Sequence, residues 1–292
     1  MASTTFSLRG IRDFSSNIND TFLFIKQEVK PFFKGLLMIV GPFFLLSAIL
    51  IGIGYGRLMG LALSSSANTS RINESELFPM TSTLIFYVLV IVCQAALTTY
   101  VAAYFKAYED NRNQSPSFAQ IWTVFGKNFL RILLYSLLFL ILIGIGVIFC
   151  IVPGIYLSVL LAPFGFIMVQ EEQYSLSYVW ERCTDLLRGV FWPTLGLYIV
   201  VYFISSSVGS IVGLLFGGLS GLISYFTTKD ISSTIGIGYG IVIVFAYLFT
   251  SILSISIGLH YFSRVESVDS VGLLQKIDQL GAGENDDENN II

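Results

Sequence analysis

Charge is what this sequence has least of. Asp, Glu, Lys and Arg make up 12% of its 292 residues, against about a quarter in ordinary soluble domains. A chain this poor in charge, and 54% hydrophobic, cannot cover itself with polar surface, which excludes a soluble enzyme. Histidine occurs once, as His260. That excludes an iron oxygenase built on several His ligands. A histidine-based triad would have to use His260, and no Gly-x-Ser-x-Gly turn accompanies it. The three cysteines, Cys93, Cys150 and Cys183, have neither metal-site spacing nor a disulfide framework. No cofactor is expected. A net charge of −3 argues against a nucleic-acid partner.

Long apolar runs take the place of these groups. No charge interrupts residues 35–56, 77–105, 132–170, 189–228 or 231–259, and a spanning helix needs about 20 apolar residues. The run 132–170 is too long for one helix. Pro153-Gly154 near its middle predicts a turn between two spans. Small residues in the run 189–228 recur every fourth position, at Ser205, Gly209, Gly213, Gly217 and Gly221, which makes one ridge along one helix. The expectation is an all-α integral membrane protein. A single polytopic domain, 1–264, would have spans at about 33–54, 82–104, 130–151, 155–169, 191–217 and 235–259; seven spans is the alternative. Residues 265–281 read as a cytoplasmic amphipathic helix, by the three-residue recurrence of Val268, Val271, Leu274, Ile277 and Leu280. Residues 282–292 are acidic and read as disordered.

Basic residues set the orientation. With six spans, thirteen Lys and Arg fall on the side of both termini and only Arg57, Arg71 and Lys229 on the other. The positive-inside rule then predicts cytoplasmic termini. Residues 1–30 lack the apolar core of a signal peptide, so the first span is expected to be retained. Asn68-Thr-Ser70 and Asn73-Glu-Ser75 fit the glycosylation pattern in the first outer loop, a short match that has no meaning in most bacteria.

Three stretches share a plan of amphipathic segment, basic residue, aromatics and span: residues 18–29, 117–126 and 175–187. They predict three units of interfacial amphipathic helix plus helical hairpin. Lys26, Lys30, Lys34, Lys127, Arg131, Arg182 and Arg188 would face lipid headgroups, with Trp122, Trp180 and Trp192 at the same level. Membrane lipid is thus one partner. A membrane-protein partner or a second copy is the other, through the Gly ridge or the tail helix. Ile51-Gly-Ile-Gly-Tyr-Gly56 recurs at Ile235-Gly-Ile-Gly-Tyr-Gly240; without a flanking strand this is helix packing, not a dinucleotide fingerprint.

The stretch Asn19-Asp-Thr-Phe-Leu-Phe-Ile-Lys-Gln-Glu-Val-Lys-Pro31, the hairpin Ile151-Val-Pro-Gly-Ile-Tyr156, the segment from Trp180 to Trp192, and His260-Tyr-Phe-Ser-Arg-Val-Glu266 carry a resemblance. The chain resembles bacterial six-span proteins related to the membrane domain of glycerophosphodiester phosphodiesterases, in the stand-alone form of Bacteroidetes. The resemblance implies a bacterial inner-membrane location and an all-helical fold. It supplies no catalytic residues, and phosphodiesterase activity is not carried over to a chain with one histidine.

Apart from Lys34 and Arg131 at their ends, the expected spans carry no charge, which disfavours a proton-driven pump. The reading is a non-enzymatic inner-membrane component, a scaffold or accessory subunit of an envelope complex. The alternative is a transporter or channel for a lipid-like or neutral solute, with Gln94, Thr98 and Thr99 as candidate cavity lining. A membrane enzyme using the cytoplasmic acids Glu171, Glu172, Glu181 and Asp185 ranks third. Those acids read more simply as a solvated helix with local ion pairs beside Arg182 and Arg188.

Overall fold

The structure is a computed structural model that describes residues 6–65, 77–228 and 231–269. All regular structure among them is helical: α1 Phe14–Ile39, α2 Gly41–Ser65, α3 Leu77–Asp110, α4 Phe118–Phe149, α5 Ile151–Leu160, α6 Phe164–Gln170, α7 Leu176–Leu187, α8 Phe191–Thr228 and α9 Ile231–Asp269. Among the described residues five stretches are long and apolar enough to cross a membrane, and a sixth if α1 and α2 count as one span bent by 56°. The chain is an all-α, multi-pass membrane protein.

α9 is the central element, packing most extensively against α8 and α2. The run 189–228 forms one unbroken helix, α8. Its small-residue ridge faces α9 in antiparallel register: Gly209 lies against Phe249, Gly213 against Val242, Gly217 against Gly238 and Gly221 against Thr234. A Cβ on Gly217 would stand 2.8 Å from the Gly238 carbonyl oxygen. Helices this close gain dispersion contacts that lipid tails cannot outcompete, which is why small residues line the seam. The two Ile-Gly-Ile-Gly-Tyr-Gly copies meet each other. A Cβ on Gly52 would lie 2.7 Å from the Gly236 oxygen, one on Gly236 would lie 2.5 Å from the Gly52 oxygen, and Tyr55 stacks on Tyr239 at 4.1 Å between centroids. The repeat is thus a near-symmetric antiparallel helix crossing.

The amphipathic segments depart from the three-unit plan. Residues 18–29 do not end at Lys30-Pro31. α1 runs through Pro31 to Ile39 and bends into α2 at Val40, because its buried stripe of Phe24, Phe32 and Leu36 continues past the proline and holds the helix against the bundle. Residues 117–126 are the first turns of α4 rather than a separate helix. Ser117 and Gln120 cap its start, and Gly126 alone does not break it. Only 175–187 stands apart, as α7, closed by Gly189 at φ +76°.

The turn expected at Pro153-Gly154 falls earlier, at the single extended residue Cys150. Pro153 sits in the first turn of α5, where its missing N–H costs no helical bond. Gly154 serves packing instead: a Cβ there would come within 2.3 Å of Val147. The fourth expected span is split into α5 and α6 around Pro163. The expected boundary near 264 is absent too, since α9 continues to Asp269. Most of the predicted tail helix, the acidic tail and the two glycosylation patterns lie outside the described residues.

Candidate functional site

Polar side chains gather where the ends of α3, α6, α7 and α9 meet the segment before α1. Their sequence neighbourhoods are unrelated; the helix ends bring them together. A cavity of about 450 Å³ opens among Arg9, Lys106, Glu109, Glu171, Arg182 and Asp269. Glu171 is its hub. The carboxylate accepts from Arg182 Nε at 3.0 Å, from the Tyr261 hydroxyl at 2.9 Å and from the Tyr178 hydroxyl at 2.5 Å. Arg182 also grips both oxygens of Asp269, and Arg9 Nε lies 2.5 Å from Glu109.

This arrangement fixes protonation states. Its hydrogen bond to Glu171, more than its burial, pushes the Tyr178 phenol up to about 12. Burial works against the Arg182 charge, but bonds to Asp269 and Glu171 outweigh it and raise its pKa. Beneath, burial pushes the Cys183 thiol up to about 12, so it stays an inert thiol at neutral pH. Every charge at this hub faces a counter-charge or a hydroxyl, so these side chains clasp the helix ends together.

A second polar layer joins α1 to α3. Tyr100, Tyr104 and Tyr108 are spaced one helical turn apart and fully buried. Their hydroxyls donate to the Phe32 carbonyl, the Glu28 carboxylate and the Phe6 carbonyl, at 2.6, 2.6 and 3.1 Å. Glu28 is buried and also accepts from Ser115 at 2.7 Å. Phe24 sits in the middle, edge-on to Phe6, Phe32, Tyr104, Phe105 and Tyr108.

The sequence-predicted residues separate into groups. Lys26, Lys30, Lys34 and Arg188 are exposed, Lys127 pairs with Glu172 at 3.5 Å, and Arg131 lies 4.1 Å over the Tyr174 ring. Trp122, Trp180 and Trp192 are exposed, as headgroup-level rings would be. Arg182 is the exception, turned inward to Glu171 and Asp269 rather than to headgroups. Of the four acids Glu171, Glu172, Glu181 and Asp185, Glu171 joins the hub and the other three are exposed.

Gln94, Thr98 and Thr99 sit in three different surroundings. Gln94 is exposed, the Thr98 methyl fills the space over Gly165, and the buried Thr99 hydroxyl donates to the Ala95 carbonyl at 2.6 Å. Ser205 is buried, and Gly209, Gly213, Gly217 and Gly221 lie against α9 of the same chain. His260 is structural, its Nε2 2.9 Å from the Thr194 hydroxyl and its ring edge-on to Tyr198. Sequence reasoning missed Arg9, Glu28, Glu109, Tyr261 and Asp269. The four-residue spacing of Tyr100, Tyr104 and Tyr108 was the one local signal available.

One apolar groove of about 550 Å³ lies between α2 and α9, lined by Ala48, Gly52, Gly56, Arg57, Gly236 and Gly240. Among the described residues no three His, Cys, Asp or Glu side chains gather as a metal site would require. No known family, no curated protein and no solved structure matches this chain.

Proposed function

We propose that the chain is a non-enzymatic component of a bacterial inner membrane, with both termini cytoplasmic, acting as a scaffold or accessory subunit of an envelope complex. The observation that carries this reading is how the polar groups are used. Glu28, Glu171, Arg182 and the three tyrosines bonded to those carboxylates, Tyr104, Tyr178 and Tyr261, use their hydrogen bonds to hold helices together, while the centre of the bundle is closed by glycine contacts and stacked rings such as Phe44 on Tyr247. The bacterial location rests on the resemblance of its sequence to the membrane domains of glycerophosphodiester phosphodiesterases, and the orientation on the distribution of Lys and Arg.

The test has two arms. Solubilised gently from native membranes, the chain is expected to migrate with a complex several times its own 32.3 kDa, with stoichiometric partners. Migration as a lone chain, together with solute or lipid movement in reconstituted vesicles, would overturn the reading. A periplasm-dependent reporter fused after Ile292 is expected to stay inactive; activity would reverse the orientation.

One observation favours the second reading, a handler of lipid-like solutes. The α2–α9 groove is apolar and includes one basic residue, Arg57, in its lining, the pattern that suits an acyl chain with an anionic head. Fluorescent-lipid exchange between leaflets, present with the protein and lost in Gly52→Leu, would support it.

A further inference from the structure

The most apolar stretch of the chain lies alongside charge. α4 runs beside residues 171–181 for four turns. Lys127 Nζ is 3.5 Å from Glu172, Arg131 covers the Tyr174 ring, and the Tyr135 hydroxyl donates to the Tyr174 carbonyl. Leu138 and Leu142 share a crevice with Trp180 and Glu181 of α7. The returning limb does the same. The Tyr156 ring meets Phe191, the first residue of α8, at 4.9 Å, and Tyr156 and Leu160 share a crevice with Asp185 and Arg188. Beyond α6, Glu171 returns to Tyr178 and Arg182. Residues 171–191 thus touch both limbs of the hairpin.

α7 cannot lie in hydrocarbon. It carries Glu181, Arg182 and Asp185, with Arg188 next, and an ionised side chain at the bilayer centre costs roughly 3 kcal/mol or more. Its level therefore marks the headgroups. Past Leu142, α4 has seven residues left before Phe149, about 10 Å at a rise of 1.5 Å each. The return from Ile151 to Tyr156 is about 8 Å. The hydrocarbon core is about 30 Å thick. A hairpin that extends about 10 Å beyond the charged layer turns back far short of the other face.

We infer that α4 and α5 form a re-entrant hairpin whose tip is buried among the acyl chains of the leaflet on the α7 side. The stretches Phe118–Phe149 and Ile151–Gln170 are each long and apolar enough to span, but the contact of Tyr156 with Phe191 leaves the tip only a short way past the charged layer. The surface in question is the tip, where Ile148, Phe149, Ile151 and Val152 are 66–86% exposed. Its partner is phospholipid hydrocarbon. The backbone tolerates this because Cys150 alone is non-helical, and its N–H donates to the Gly146 carbonyl at 3.0 Å. Gly146 and Gly154 in contact keep the wedge thin. That this leaflet is the cytoplasmic one rests on the orientation proposed above; the re-entrant path does not.

Cys150 is a native probe at the tip, and Cys93 and Cys183 are buried. The full chain would be treated with a membrane-impermeant maleimide in right-side-out and in inside-out vesicles. The reference is Gln173→Cys in a Cys150→Ser background, exposed beside α7. Cys150 is expected to react at least about tenfold more slowly than the reference in both preparations, because the thiolate must meet water to react. A bimane on Cys150 is expected to be quenched by lipids brominated on their chains and not by aqueous iodide. Rapid labelling of Cys150 from the face opposite Gln173→Cys would show a spanning hairpin and overturn the inference. Rapid labelling from the same face as Gln173→Cys would put the tip in water and overturn it equally.

Discussion

The two ends of this molecule are held together by different physics. At the end where α2, α8 and α9 cross, helices touch backbone to backbone through Gly52, Gly217, Gly236 and Gly238. At the other end, α1, α3, α6, α7 and α9 are joined by side chains that reach across: three tyrosine hydroxyls, Glu28, Glu171 and Arg182. Between lipid tails, apolar surface alone gives helices no reason to associate, so close approach supplies the contact energy. Near the headgroups, water competes for every polar group, so directional bonds hold only where side chains are shielded by packing. The aromatic cage around Phe24 provides that shielding for the tyrosines.

If this division is right, the glycine end should respond to volume and the tyrosine end to chemistry. The largest effect is expected from Gly236→Leu. Its Cβ would fall 2.5 Å from a backbone oxygen that no rotamer change can move, so α2 and α9 must separate. A loss at the upper end of about 1–3 kcal/mol is expected, read as a lower melting temperature in detergent. Arg182→Leu keeps the volume and removes the charge. It leaves Asp269 without its guanidinium and Glu171 with hydroxyls alone. Breaking a fully buried pair costs about 3–5 kcal/mol; with both carboxylates partly exposed, about 2 kcal/mol is expected here. The same substitution should raise protease cleavage near α7 while leaving the α2–α9 crossing intact.

Tyr104→Phe sharpens the contrast, because it changes one oxygen and almost no volume. Glu28 keeps Ser115 but loses the Tyr104 hydroxyl, and a hydrogen bond to a charged group is worth about 1.5–3 kcal/mol. About 1.5 kcal/mol is expected, given the remaining donor. Restoration of stability by a second change, Glu28→Leu, would show that the cost came from the stranded carboxylate. A pH test gives the smallest effect. The folded Tyr178 phenol titrates near 12, raised from 10.0. Its bond to Glu171 is therefore fully present below pH 10 and is lost as pH rises through 12. Stability of the wild-type chain should fall faster across that window than that of Tyr178→Phe, and the two should run parallel from pH 7 to 9. Gly218→Ala, with open space around it, is the matching null at the glycine end.

Composition and periodicity determined the class of this protein. Runs of twenty or more uncharged residues force helices into lipid, since no other segment can satisfy its own backbone there. The four-residue ridge from Ser205 to Gly221 and the repeated Ile-Gly-Ile-Gly-Tyr-Gly are local patterns, legible because one helix face repeats every turn. That the second pattern would meet its own copy was not legible. Only the folded chain sets α2 antiparallel to α9 and puts Gly52 on Gly236. The polar clasp was hidden for a similar reason. Glu171 finds Arg182 eleven residues away but Tyr261 ninety away, and no spacing rule spans that distance. Pro31 and the pair Pro153-Gly154 were misread because local propensity is worth about 1–3 kcal/mol, less than the packing of a whole helix face. Hydropathy fixed which segments prefer lipid; the tertiary contacts of residues 171–191 with both limbs of the α4–α5 hairpin decided how deep one of them goes.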